Sequence, residues 1–175
     1  GQVCVRCGTG RIAGVVKPAT GGVQAQGPLA ASAEMDQASQ IAAKAQVGWG
    51  ATNPQRRARV LMKFVELLHR DMEKLAEALS REHGKTIPDA KGDVIRGLEV
   101  AEFCFGAPHL LKGEFTEGAG PGIDMYSLRQ PLGVVAGITP FTFPALIPMW
   151  QFCPAISAAT SFLSNPSPPH PPVPR

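Results

Sequence analysis

The stretch that decides the fold reads RQPLGVVAGITPF and runs from Arg129 to Phe141. Its central residues, Leu132–Ile138, carry only apolar or small side chains, which is typical of a β-strand buried on both faces. Strands of this kind belong to parallel sheets that are covered by helices. We therefore predict an α/β fold in which this strand ends at a loop, and ligands often bind at such loops.

The same stretch opens a long segment without charge, because Pro131–Pro174 contains no Lys, Arg, Asp or Glu. A segment of this length has to be considered as a membrane span. Its prolines at positions 140, 144, 148 and 154 would repeatedly break a spanning helix, whereas a buried strand, a turn and a short helix accommodate them. We predict a buried strand, a turn and a short helix here, and no membrane span.

Upstream of the strand, apolar residues recur at steps of three and four, which predicts helices. The predicted helices run from Ser32 to just before Gly48, from Pro54 to His83 with Asn53 as N-cap, and from Pro88 to Phe105. In the third helix we predict that Ile95, Leu98 and Ala101 point inward and that Lys91, Asp93 and Arg96 point outward. The upstream half is therefore expected to be mainly helical.

Arginines crowd the first turn of the second predicted helix, at Arg56, Arg57 and Arg59. The helix dipole disfavours cations at this end. Two interpretations stay open, a solvated face, which the sequence favours, and a partner outside the helix.

Proline and glycine clusters predict the remaining connections. Residues 18–22 (PATGG) indicate a turn between two short extended runs, and the glycines between 118 and 122 indicate a flexible loop. The end, residues 164–175, is expected to be a Pro-rich, disordered tail with polyproline character.

Charge and cysteine content limit the possible functions. The net charge of +3 is small and scattered, so we predict no nucleic-acid binding. The pair Cys4 and Cys7 has half the spacing of a zinc site, but no second pair follows, so no metal site is predicted. Cys104 and Cys153 lie in apolar surroundings without a neighbouring base and are expected to be buried hydrophobic residues. Gly84-Lys85-Thr86 imitates the end of a phosphate-binding loop, but it ends a helix where such a loop would begin one.

The stretch Arg129–Phe141, followed by Phe143-Pro144, resembles the cofactor strand of the aldehyde dehydrogenase family. Phe141 stands where most of that family carries Trp. This Phe, together with residues 81–86 (REHGKT) and 108–114 (PHLLKGE), resembles the CoA-acylating methylmalonate-semialdehyde branch in particular. The resemblance implies an aldehyde dehydrogenase-like fold, with amino-terminal helices and the first, incomplete part of a Rossmann-like NAD-binding domain. It assigns residues 18–163 to that partial domain and leaves residues 1–17 unmatched.

The resemblance also implies an activity. Enzymes of this branch oxidise methylmalonate semialdehyde or malonate semialdehyde with NAD and CoA, and they form propionyl-CoA or acetyl-CoA in valine and pyrimidine catabolism. A cysteine thiolate attacks the aldehyde, hydride leaves to NAD, and CoA takes the acyl group, and decarboxylation accompanies that transfer in the family. The resemblance further implies a homo-oligomer at full length, in the mitochondrial matrix of a eukaryote or the cytoplasm of a bacterium.

Family residues are carried over one position at a time. Thr139 and Phe141 match residues that line the NAD site, and Thr142 stands where the family places an Asn that donates to the oxyanion. Asn165 and Ser167 fall in the motif that holds the adenosine ribose, with Asn165 in place of the family Lys. The family nucleophile would lie beyond Arg175.

Two hypotheses remain. The first is a partial dehydrogenase chain, whose family pattern fails at both ends because the reading frame slips there. The second is a short noncatalytic binding or interaction module, which would pair with full-length subunits through its helices or offer its Pro-rich tail. The sequence favours the first for family identity and the second for what these 175 residues can do.

Overall fold

The structure is a computed structural model that describes Gly10 and residues 12–166. Within these residues three two-stranded sheets accompany six α-helices and one short 3-10 helix. The strands are β1 (Ile12–Val16), β2 (Val23–Pro28), β3 (Phe115–Gly120), β4 (Ile123–Tyr126), β5 (Val134–Thr139) and β6 (Ser161–Pro166). The helices are α1 (Ser32–Gly50), α2 (Pro54–Arg70), α3 (Met72–His83), α4 (Ile87–Phe103), the 3-10 helix Cys104–Gly106, α5 (Ala107–Leu110) and α6 (Leu146–Ser157).

Strands β1 and β2 form the amino-terminal antiparallel hairpin. The turn predicted at residues 18–22 is confirmed, and the Lys17 N–H closes it by donating to the Gly22 carbonyl at 2.8 Å. Gly21 has a φ of 71°, a conformation that residues with a side chain rarely adopt. The two extended runs on either side of the turn therefore pair as expected.

The predicted helix from Pro54 to His83 is correct at both ends and wrong in the middle. Asn53 caps α2, accepting a hydrogen bond from the Gln55 N–H at 2.8 Å, and Pro54 occupies the first turn. The chain then leaves helical geometry at Asp71, with φ −103° and ψ 14°. Asp favours helix ends over helix interiors, and here its carboxylate pairs with Arg70 at 2.5 Å and with Lys74 at 3.4 Å.

Helix α4 corrects two predicted orientations. Asp93 was predicted to point outward, but it is 2% exposed, whereas Ile95 was predicted to point inward and is 45% exposed. The physical reason is that Asp93 meets a cation and a backbone N–H inside the fold, as described below. A polar residue can therefore lie on the buried face of a helix when hydrogen-bond or ion-pair partners are present inside the fold.

Helices α2, α4 and α6 enclose the core. Its buried members are Leu61, Val65, Leu68, Val94, Leu98, Ala101, Cys104, Met149 and Cys153. Gly97 lets α4 approach α6 closely, because a Cβ at this position would lie 2.6 Å from the terminal carbon of Met149 and 3.2 Å from its Cβ. Gly92, on the same helix, has open space where its Cβ would be.

The two glycines of α4 are expected to respond oppositely to the same substitution. Gly97→Ala forces Met149 to move, and overpacking of this kind destabilises by roughly 1–3 kcal/mol. Gly92→Ala meets no obstacle and should stabilise the helix by up to about 1 kcal/mol, the propensity difference between the two residues. Urea denaturation followed by Trp fluorescence measures both changes, and equal effects of the two substitutions would contradict the close α4–α6 contact.

The glycine-rich segment 118–122 is not the predicted loop. It belongs to the antiparallel hairpin of β3 and β4, with Gly118 and Gly120 in β3. Positive φ values at Gly118 and Gly122 explain why a strand and its turn use residues that usually indicate loops.

The stretch that decides the fold forms a parallel β–α–β unit. Strand β5 leads through α6 to β6, and the two strands pair in parallel, as predicted. Burial on both faces is wrong for the described part of the chain, because Ala136 and Ile138 are exposed and alternate with buried Gly137 and Thr139. None of the described elements covers the face to which Ile138, 74% exposed, points. Strand β6 extends to Pro166, so residues 164–166 are strand residues and not part of the predicted tail; residues 167–175 lie outside the described part.

No helix in the described part of the chain is long and apolar enough to cross a membrane.

Candidate cofactor-binding site

The carboxyl ends of β5 and β6 lie side by side. In the parallel register, Ile138 pairs with Asn165 and Thr139 pairs with Pro166. The loop 140–145 leaves β5 at this edge and enters the first turn of α6. Ligands of open α/β sheets bind beyond the carboxyl ends of their strands, so this edge is the candidate site.

The loop after β5 packs against the end of α3 and the segment that joins α3 to α4. The ring of Phe141 stacks on the ring of His83, with 5.2 Å between centroids and 28° between planes. The ring of Phe143 lies under the ammonium of Lys85, with Nζ 5.0 Å from the centroid, which is within the range of a cation–π contact. Two aromatic residues of the loop therefore rest on side chains from a distant part of the sequence.

Lys85 is buried together with a carboxylate. Its side chain is 6% exposed, and its Nζ lies 3.3 Å from Oδ2 of Asp93, whose side chain is 0% exposed. The more exposed Asp89 lies 3.7 Å from the same Nζ. The other oxygen of Asp93, Oδ1, accepts the backbone N–H of Leu146, the first residue of α6, at 2.8 Å. Asp93 thus joins α4 to the point where the loop becomes a helix.

Sequence reasoning missed this network. It used the Gly84-Lys85-Thr86 segment for the family resemblance and rejected it as a phosphate-binding loop, but it assigned Lys85 no partner; in the structure Lys85 is buried beside Asp93. The available signal was the spacing of Asp89 and Asp93, which lie four residues apart and so share one face of α4, with Lys85 just before the start of that helix.

The structure brings together only some of the predicted site residues. Thr139 ends β5 with 3% of its surface exposed, Phe141 is half-buried, and Thr142 is exposed in the loop. Asn165 is exposed at the same sheet edge, but it shares the face of Ile138 and therefore points away from Thr139. Ser167 lies outside the described residues.

Two buried side-chain atoms near this edge have no hydrogen-bond partner among the described residues, Nδ1 of His83 and Oε1 of Gln151. The amide of Gln151 reaches toward the edge, with Nε2 3.5 Å from the Ile138 carbonyl. Buried polar atoms are nearly always paired in folded proteins. This part of the fold therefore keeps unused hydrogen-bonding capacity next to the strand end.

The two described cysteines are far from nucleophilic. Cys104 and Cys153 are buried, and burial raises the pKa of both thiols. Burial, with a smaller contribution from Cys104, raises the pKa of Cys153 to about 12. Both side chains are therefore neutral thiols at pH 7, as expected for buried hydrophobic residues. Cys4 and Cys7 lie outside the described residues, and no cluster of His, Cys, Asp or Glu within the described part could hold a metal ion.

The chain is similar to known proteins along most of its length. The sequence model described as the aldehyde dehydrogenase family matches residues 6–174. A solved structure described as a methylmalonate-semialdehyde dehydrogenase from Sinorhizobium meliloti 1021, in complex with NAD, is 61% identical with a TM-score of 0.91, and the match covers 93% of this chain and 33% of that one.

Curated relatives give the same picture. The malonate-semialdehyde dehydrogenase of Pseudomonas aeruginosa is 43% identical over 90% of this chain and 32% of its own length. A relative from Dictyostelium discoideum, named a mitochondrial acylating methylmalonate-semialdehyde/malonate-semialdehyde dehydrogenase, is 42% identical over 87% of this chain and 29% of its own length. The chain thus spans about a third of the length of the relatives it matches.

Proposed function

Because the chain belongs to the aldehyde dehydrogenase family, we propose that it forms the part of an NAD-dependent semialdehyde dehydrogenase that receives the cofactor at the carboxyl ends of β5 and β6. The observation that carries this proposal is the parallel register, in which the loop after β5 and the end of β6 share one edge. When bound there, NAD accepts the hydride that leaves the substrate.

The residues along that edge are suited to different degrees to contact the cofactor. The loop offers exposed backbone and the rings of Phe141 and Phe143 beside the end of β5. Thr139 is buried, so its contribution is to fix the strand end while main-chain groups of the loop contact the cofactor. Asn165 offers a neutral amide where the family carries a Lys, so the adenosine ribose is held less firmly in this chain. Ser167 is assigned to the same ribose motif by resemblance alone.

The proposed reaction converts methylmalonate semialdehyde to propionyl-CoA and malonate semialdehyde to acetyl-CoA. CoA is the acyl acceptor, NAD is the oxidant, and the substrate carboxylate leaves as CO2. Thr142 occupies the oxyanion position of the family, and its exposed hydroxyl is shorter than the amide it replaces. Removing one oxyanion donor costs about 100- to 1000-fold in rate. The covalent step is assigned to a cysteine other than Cys104 and Cys153, because both are protonated at neutral pH.

The partner and compartment follow from the same resemblance. We propose a homo-oligomer for the complete enzyme, in the mitochondrial matrix if the source is eukaryotic and in the cytoplasm if it is bacterial. The relative from Dictyostelium discoideum is named as mitochondrial.

The proposed activity is tested on the native gene product purified from its source. We expect NADH formation that requires methylmalonate semialdehyde, NAD and CoA together, with propionyl-CoA as the product identified by mass spectrometry. The intact mass, measured on the same sample, shows how much polypeptide accompanies these 175 residues. NADH formation that yields only the free acid would contradict the acylating part of the proposal. No NADH with any semialdehyde would contradict the dehydrogenase assignment and favour a noncatalytic module.

A further inference from the structure

The loop 140–145, at the proposed cofactor site, is anchored at two points by residues from outside the loop. One anchor is Lys85, whose ammonium lies over the ring of Phe143. The other is Asp93, which accepts the Leu146 N–H at 2.8 Å. The loop 140–145 lies between these two contacts, and they are joined to each other by the 3.3 Å ion pair of Lys85 with Asp93.

The ion pair is unusual for its burial. The side chains of Lys85 and Asp93 are 6% and 0% exposed. The pair of Lys91 in α4 with Glu73 in α3 is much more exposed, at 35% and 71%. A buried ion pair adds little stability compared with apolar residues of similar size, because both charges lose their hydration. We therefore look for its role in the residues that it positions. Lys85 contacts Phe143 in the loop, and Asp93 contacts Leu146 at the start of α6.

The approach to Lys85 is also fixed by local structure. Gly84 ends α3 with a φ of 89°, and the Ser80 hydroxyl donates to the Lys85 carbonyl at 2.7 Å. The chain therefore turns directly after His83, whose ring supports Phe141. At the end of α3, the turn at Gly84 thus places the ring of His83 and the ammonium of Lys85 against the same loop.

We propose that Lys85 and Asp93 are positioning residues for the cofactor, which hold the loop 140–145 in the conformation in which Phe141 and the loop backbone meet NAD. This inference rests on the proposed NAD site. Neither residue touches the cofactor, and each acts through the loop, Lys85 through Phe143 and Asp93 through Leu146.

The test removes both charges at once with the double variant Lys85→Met and Asp93→Val. Replacing a buried ion pair by apolar residues of similar size usually preserves stability. Asp93→Val also leaves the buried Leu146 N–H without its acceptor, so the variant is expected to fold and to melt at a lower temperature than the wild type. The matched control is the double variant Lys91→Met and Glu73→Val, which likewise replaces a Lys–carboxylate pair by apolar residues, but in an exposed pair that links α4 to α3.

Two quantities are measured on the 175-residue chain, NAD affinity by equilibrium dialysis and amide hydrogen exchange of residues 140–147 without NAD. We expect the first double variant to bind NAD at least about fivefold more weakly and to exchange its loop amides at least about fivefold faster, since one hydrogen bond and one cation contact are lost. The control should change neither quantity.

The outcomes separate this inference from the function on which it rests. If the wild type binds NAD and the first double variant matches it in affinity and exchange, the positioning role is overturned while the NAD site stands. A lower melting temperature with unchanged loop exchange would also overturn it, because the pair would then be merely structural. If the wild type does not bind NAD, the proposed site and the positioning role fall together.

Discussion

Arg57→Met is expected to lower the free energy of unfolding by about 2–4 kcal/mol, because it removes the donor from one buried and one partly buried carbonyl oxygen. Arg57 is 4% exposed, and its Nε donates to the carbonyl of Ser157 at 3.1 Å. Its Nη1 donates to the carbonyl of Thr52. Burial lowers the pKa of Arg57, but a guanidinium stays protonated in proteins, so the substitution also removes a full charge.

The position of that charge explains why it is tolerated in the first turn of α2. Ser157 is the last residue of α6, and the carboxyl end of a helix attracts cations. Trp49 contacts the same end, donating from Nε1 to the Ile156 carbonyl at 2.9 Å, and Gln46 donates to the Ala159 carbonyl at 3.3 Å. Side chains of α1 and α2 therefore cap the helix that crosses from β5 to β6.

Arg56→Met is the matched control, since Arg56 is the exposed neighbour of Arg57 on the same turn. It should change stability by less than about 0.5 kcal/mol, as most surface substitutions do. Urea denaturation monitored by the fluorescence of Trp49 and Trp150 measures both variants. Equal and small losses for the two arginines would show that the Arg57 contacts do not stabilise the fold.

Asn165→Lys is expected to raise the affinity for NAD by about tenfold or more, the gain that a hydrogen bond from a charged group supplies. The resemblance to the aldehyde dehydrogenase family places a Lys here, on the adenosine ribose. In the structure Asn165 is exposed at the carboxyl end of β6, so the longer side chain meets no steric obstacle. Equilibrium dialysis of NAD against the 175-residue chain measures the change.

The control for that gain is Ser164→Lys, which adds the same charge one residue earlier on the strand. Ser164 is also exposed, but successive residues of a strand point to opposite faces, so its ammonium cannot reach the same ribose. An equal gain from both variants would mean general electrostatic attraction and would remove the reason for assigning Asn165 to the cofactor.

The features that sequence predicted correctly are those that depend on local chemistry. Asn53 followed by Pro54 begins a helix because the side chain and the ring satisfy local requirements of the backbone. The turn at residues 18–22 follows from proline and glycine in the same way, and the apolar run in β5 is long enough to indicate a strand without its partners.

The features that sequence missed depend on residues far away along the chain. Asp93 looks like a surface residue until Lys85 and the Leu146 N–H surround it. The sequence favoured a solvated Arg57, because its partner at the end of α6 is 100 residues away along the chain. The exposed side of β5 could not be predicted either, because burial on both faces requires covering elements that the described residues do not supply.

The cofactor site could be predicted in part. The loop after β5 was found from the strand that precedes it and from the family resemblance. That Thr139 and Asn165 point to opposite faces follows only from the observed register. The support behind Phe141 and Phe143 was not predictable, because it joins residues more than fifty positions apart.

The central claim is that NAD binds at the shared edge of β5 and β6. The most direct test is amide hydrogen exchange of the 175-residue chain with and without saturating NAD, read by mass spectrometry. The account predicts slower exchange in peptides that cover residues 139–147 and 161–166, with no change in the β3–β4 hairpin. Unchanged exchange at both segments, or slowing confined to the hairpin, would contradict it.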